Sequence, residues 1–253
     1  MLADASRLPD GRRFEEIVLF EGDGVVVVNK PPGLPTTGRT LDDTDCLQWY
    51  AIQHFRRMVW CVHQLDADTS GALVLVRRKT LVPIWQERLH SPNANKTYVA
   101  WLQGELGQQR VEVRAPLGSL DKSGRHLGVT ESGKPAHTSV ERLAISSGIS
   151  LCAITLHTGR THQIRIHAQH MGHPLIGEEW YSDPPDHRHP RQALHAWQIR
   201  IHAAPEQHFI APVPIDLQDF HRAAGFPELA DLLSAWRDGP GRTSCSGSAD
   251  AEG

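Results

Sequence analysis

The stretch Val62-His63-Gln64-Leu65-Asp66-Ala67-Asp68-Thr69-Ser70-Gly71-Ala72-Leu73-Val74-Leu75-Val76 sets two carboxylates at the mouth of an apolar run. Residues 72–76 read as a strand buried on both faces. Asp66 is then carried by a rigid element yet open on one side, a placement that suits a nucleophile or a base. The same residues would also make an ordinary turn, with Asp68 bonding the amides of Ser70 or Gly71. The two carboxylates could also form an acid–base pair, but they lie in a turn-like loop rather than a strand, and they are read as pointing apart.

A second segment, Leu156-His157-Thr158-Gly159-Arg160-Thr161-His162-Gln163-Ile164-Arg165-Ile166-His167, ends a strand, turns at Gly159 and begins a helix near Thr161. Free amides at a helix start suit phosphate, and Arg160 lies at that end. Arg165 lies one turn in, on the polar face with His162 and Gln169, where a guanidinium can hold a carboxylate in a bidentate pair. A surface helix with solvated arginines would look the same. The third segment is Asn95-Lys96-Thr97-Tyr98-Val99-Ala100, in which Lys96 and Tyr98 share one strand face. Tyr98 can offer its ring to a flat base or sit at the edge of a core.

The elements that must position these residues follow from periodicity and punctuation. Strands are expected at 25–28, 72–76, 97–102, 111–117 and 193–202, with a hairpin of 137–145 and 149–157 around Ser146-Ser147-Gly148. Helices are expected at 42–58 behind Asp42, Asp43 or Thr44 as N-cap, at 81–89, at 161–171 ending on Gly172, and at 227–237 with Leu229, Leu232, Leu233 and Trp236 as its stripe. The pattern indicates an α+β fold: a mixed, largely antiparallel sheet flanked by helices. Residues 1–13 and 239–253 read as tails, the latter disordered, leaving 14–238 as one domain.

Composition narrows the function classes. The chain has 253 residues, of which 40% are hydrophobic and 22% charged, ordinary globular values. The N-terminus carries no apolar signal segment, and no run is long enough to span a bilayer. The cysteines Cys46, Cys61, Cys152 and Cys245 show no CxxC spacing, so neither a disulfide framework nor structural zinc is expected, and a reducing cytoplasm fits. A net charge of −3 argues only weakly against a nucleic-acid partner, since a local cleft can differ from the whole. Of sixteen histidines, nine lie between His157 and His202. They could ligate a metal, but no recognised helical metal motif is present and hydrogen bonding at a polar surface is the simpler account.

Together and in this order, VNKPPGLPT (28–36), HQLDADTSGALVL (63–75), NKTYVAWLQG (95–104), LHTGRTHQIRIHAQHMGHPLIGEEWY (156–181) and ALHAWQIRIHAAP (193–205) resemble the RluA-like family of RNA pseudouridine synthases. The resemblance covers about residues 15 to 220 and implies that a uridine in tRNA or rRNA is isomerised to pseudouridine without a cofactor or metal. It implies Asp66 as catalytic carboxylate, Tyr98 against the uracil, Arg165 as the partner that keeps Asp66 ionised, and Gln64 and Arg160 as RNA contacts. It further implies a monomer that recognises an RNA stem-loop, with no S4-type RNA-binding domain ahead of the catalytic part and no membrane association. The sequence departs from the family pattern twice. Gln64 stands where the family has an arginine implicated in filling the space of a flipped base. Glu178 stands where the family has Asp, which reads as a change in loop packing. A protein of the same fold that binds RNA without catalysis is the alternative. An unrelated hydrolase using Asp66 with a histidine-bound metal is remote.

Overall fold

Four consecutive valines at 25–28 and the apolar run 70–76 form adjacent strands in the middle of a sheet. A computed structural model describes residues 7–40, 43–121, 126–202 and 205–237. Its strands are β1 (Val18–Gly22), β2 (Val25–Lys30), β3 (Trp60–Cys61), β4 (Ser70–Val76), β5 (Ala94–Gln103), β6 (Arg110–Val113), β7 (Leu117–Ser119), β8 (Leu127–Val129), β9 (Thr138–Ser146), β10 (Ile149–Leu156), β11 (Leu194–Ile201) and β12 (Gln207–Ile210). Its helices are α1 (Leu47–Phe55), α2 (Leu81–His90), α3 (Gln163–His170), α4 (Ile215–Ala223) and α5 (Leu229–Arg237), with a single 3-10 turn at Phe14–Ile17.

The main sheet runs β1-β2-β4-β11-β5-β10-β9-β6, with β3 on β4 and β12 on β11; β7 and β8 form a separate ribbon. Of the pairings in the main sheet, β4 with β11 is parallel and the rest are antiparallel. The mixed, largely antiparallel α+β architecture expected from the sequence is therefore present. Alternation along each strand divides the core. In β5, Tyr98, Ala100 and Leu102 face a layer with Leu47, Tyr50 and Ala51 of α1 and Ile164 and Ala168 of α3. Val99 and Trp101 face the opposite layer, which holds Leu217 of α4 and Leu229 and Leu233 of α5. Trp85 and Leu89 of α2 pack on Ala72, Val74 and Val76 of β4.

Several expected elements differ in detail. The segment 111–117 is two strands, because Pro116 lacks an amide for the ladder; β6 pairs with β9 and β7 with β8. The helix expected from 42 begins only at Leu47, since the Asp43 carboxylate instead accepts from the amides of Arg39 and Thr40; Asp42 lies outside the described residues. The hairpin is as expected, with Ser147 (φ 51°) and Gly148 (φ 69°) as its two-residue turn. Of the expected N-terminal tail, residues 7–13 are described, and Leu8 there is buried. The expected C-terminal tail lies outside the described residues.

Candidate active site

Asp66 lies in the turn that enters β4, closed by the Thr69 amide donating to the Asp66 carbonyl at 3.1 Å. Every residue of β4 is buried, so the turn sits on a fixed base. Three outside contacts hold it. The Thr36 hydroxyl donates to the Leu65 carbonyl (2.8 Å) and accepts from the Leu65 amide (3.0 Å). Lys30, at the end of β2 and wholly buried, donates to the carbonyls of Pro31 (2.8 Å), Leu34 (2.7 Å) and Ala67 (2.7 Å). Arg191 donates to the Asp68 carbonyl at 2.8 Å while its Nε pairs with Asp216 at 2.7 Å. Two buried cations thus grip the carbonyls of the two residues after Asp66. Burial pushes the Lys30 ammonium down to about 7, and three acceptors, one for each N–H, favour the protonated form.

Gly71 explains the small residue after Thr-Ser. Its φ is +120°, and a Cβ there would stand 2.2 Å from the Ala196 carbonyl oxygen of β11. The parallel crossing of β4 and β11 requires glycine at this point.

Arg165 approaches Asp66 from α3. Its Nη1 lies 3.6 Å from Asp66 Oδ2, but its tighter partner is Glu178: Nε donates to Oε2 at 2.9 Å and Nη2 to Oε1 at 2.7 Å. Glu178 is fully buried. Arg165 therefore faces Asp66 at 3.6 Å while its bidentate partner is Glu178. The reading of Glu178 as a mere change in loop packing is corrected, because it fixes the guanidinium that faces Asp66. Nor is Arg165 on an exposed polar face, since only 5% of it is accessible. Burial opposes the Arg165 charge, and the hydrogen bonds and charge of Glu178, with the charge of Asp66, outweigh it. His162, held at φ 54° just before α3, donates to or accepts from the Tyr181 hydroxyl through Nδ1 at 2.8 Å. Its Nε2 is 3.9 Å from Asp66 Oδ1. Burial is the main influence on His162 and favours the neutral ring; the Asp66 charge opposes it.

Asp66, Tyr98, Arg165, Gln64 and Arg160 all line one cavity of about 540 Å³, together with Lys96, His162 and Thr161. The five residues singled out in the sequence are therefore brought together. Tyr98 is buried, and burial followed by the Asp66 charge pushes its phenol well above the usual tyrosine value. Gln64 donates to the Thr37 hydroxyl at 3.2 Å, and Arg160 to the Pro135 carbonyl at 3.2 Å, both at exposed positions. Sequence reasoning missed Lys30, Glu178, Arg191 and His162 as parts of the site. The proline pair after Lys30 was the available signal for the first, since a chain that turns there needs its carbonyls satisfied. Among the described residues, Glu112, His137 and His157 form one cluster with metal-ligand types, and none of the three lines this cavity. The other histidines after 157 include His167, His173, His189 and His195, each hydrogen-bonded to a backbone carbonyl.

Comparison with known proteins bears on the chain as a whole. Residues 24–170 match the family model for RNA pseudouridylate synthase. The chain belongs to this family. It is 31% identical over 215 residues to an uncharacterised RNA pseudouridine synthase of Bacillus subtilis, covering 81% of this chain and 71% of that one. It is 32% identical over 216 residues to the ribosomal large subunit pseudouridine synthase D of Nitrosomonas europaea, covering 79% of this chain and 62% of the relative. Among solved structures, human RNA pseudouridylate synthase domain containing 1 matches with a TM-score of 0.68 and 26% identity, over 88% of this chain and 95% of that one. This chain is thus an RNA pseudouridine synthase. Among the described residues no helix is long and apolar enough to cross a membrane.

Proposed function

We propose that Asp66 is the catalytic carboxylate and that the substrate is a uridine of large-subunit ribosomal RNA. The observation that carries the first part is the convergence of Asp66, Tyr98 and Arg165 in one cavity; the second draws on relatives named for the ribosomal large subunit. In the reaction the N1–C1′ bond breaks, the uracil turns, and C5 bonds to C1′. C5 loses a proton and N1 gains one, so the change is an isomerisation and no redox partner or co-substrate enters. A base must leave its stack to reach the buried side of the cavity. Tyr98, held as the neutral phenol by burial, offers its ring and an O–H beside the uracil. Arg165 presents its positive charge to Asp66 at 3.6 Å. Gln64 and Arg160 meet the RNA at the exposed rim. The three described cysteines are free, which accords with a cytoplasmic protein.

The test is to incubate the purified protein with total cellular RNA and map pseudouridine. We expect new sites in large-subunit rRNA, and their loss with Asp66→Asn, since an amide neither attacks nor accepts a proton as a carboxylate does. More than a tenth of the wild-type yield from the variant would sink the assignment to Asp66. Sites confined to tRNA would overturn the choice of substrate but not the chemistry.

A further inference from the structure

Beside the Asp66 cavity lies a second of about 470 Å³, and the two share Asp66, Ala67, His162 and Arg165 as walls. Its outer side is Trp180, which at 68% exposure is an unusually open indole. A large aromatic left in water has a cost that burial would relieve, yet this one is held in place. Its amide donates to Glu178 Oε1 at 3.0 Å, and its ring lies 5.1 Å from the Arg165 guanidinium carbon. The indole is thus anchored by the same buried pair that faces Asp66, and most of its surface stays free.

The charges around this second cavity favour one kind of occupant. Asp68 and Glu179 line it, and neither carboxylate makes a side-chain hydrogen bond with the described residues. The cations of the cavity are committed: Arg165 to Glu178 and Arg191 to Asp216 and backbone carbonyls. A phosphate would meet two free carboxylates. A base that carries an exocyclic amino group would find acceptors for it and a ring to stack on.

We propose that Trp180 and the cavity behind it form a subsite for a nucleobase neighbouring the reacting uridine, with Asp68 and Glu179 selecting an amino-bearing base over uracil. The inference rests on the functional reading above and adds a specificity determinant to it. Stacking of a base on an aromatic side chain is sequence-tolerant, so the indole supplies affinity and the carboxylates supply choice.

The experiment uses fluorescein-labelled RNA heptamers with a central uridine whose neighbours are varied among A, C, G and U, with Kd from anisotropy and kcat and KM from pseudouridine formed at the central position. Trp180→Ala is expected to raise Kd and KM by about 5- to 150-fold, with Trp180→Phe retaining most of the affinity. The double variant Asp68→Asn, Glu179→Gln should bind as tightly as wild type to the uracil-flanked heptamer and lose its preference for the amino-bearing ones. Equal Kd for Trp180→Ala and wild type would overturn the subsite. So would a fall in kcat alone, which would make Trp180 only a cover for Arg165. Failure of the functional reading is separate: wild-type protein would then make no pseudouridine in total RNA, whatever the heptamers bind.

Discussion

The guanidinium of Arg165 has two carboxylates within reach and treats them differently. Glu178 takes Nε and Nη2 in a fork, and Nη1 is left to face Asp66 at 3.6 Å. A fork to Asp66 itself would tie up both oxygens of the carboxylate proposed above to react. With Glu178 as the fixed anchor, Asp66 feels the positive charge while its lone pairs stay available. The anchor is also an energetic necessity, because an unpaired buried cation is costly and breaking a buried pair typically removes about 3–5 kcal/mol. Glu178→Ala should therefore lower the unfolding free energy by about 3 kcal/mol or more and reduce activity at least tenfold. Urea denaturation checks the first and pseudouridine yield the second. A variant as stable as wild type would mean that the Arg165–Glu178 pair is not formed in solution. Glu178 was not legible as a site residue in the sequence, since an acidic residue in the loop Gly177-Glu178-Glu179 looks like surface, and its burial depends on an arginine thirteen positions earlier.

At the scale of elements, the turn that bears Asp66 is a junction rather than a free loop. Lys30 at the end of β2 reaches Ala67, Arg191 just before β11 reaches Asp68, and Thr36 clamps Leu65. Replacing Lys30 by Met keeps the length but leaves three carbonyls without their donor. Each buried unsatisfied group costs about 1–3 kcal/mol, so Lys30→Met should lose about 3 kcal/mol or more of stability, measured by urea titration. Catalysis should suffer more than binding, with kcat falling while KM for RNA changes little, because the turn and not the rim is disturbed. A normal kcat in a destabilised variant would show that the turn keeps its shape unaided. The elements of this junction were legible where local signals suffice. The valine run, the apolar run after Thr-Ser-Gly, the Ser-Gly hairpin and the stripe of α5 all announce themselves by spacing. Helix α4 and strands β1 and β12 did not, because each depends on what it packs against: among the described residues β12 pairs with β11, and Leu217 of α4 lies in one core cluster with Trp101 and Trp197 of distant strands. The residues of HQLDADTSG and TGRTHQIR were legible as candidates. The cations beneath them were not, because the proline pair after Lys30 marks a turn whose carbonyls need donors without naming the donor, and Arg191 acts across more than a hundred residues of sequence.

At the scale of the whole molecule, a net charge of −3 means that attraction to RNA must come from a local field. Three cations line the Asp66 cavity: Lys96, Arg160 and Arg165. Arg165 is paired with Glu178 and Lys96 is buried, which leaves Arg160 as the exposed charge at the rim. Binding at the cavity should accordingly release few counterions and respond weakly to salt. Position 64 offers a direct test. Gln64 hydrogen-bonds to Thr37 and fills its place at the rim without charge; its amide can donate and accept beside a displaced base. Gln64→Arg would add a cation at the mouth of the cavity. If the phosphates pass there, the slope of log affinity against log salt should steepen by about 0.7 to 0.9, and affinity at low salt should rise. The measurement is affinity for one RNA at several salt concentrations, with product yield followed in parallel. An unchanged slope would place the backbone away from residue 64. A large gain of activity from an inactive parent would favour a natural protein that binds RNA without modifying it.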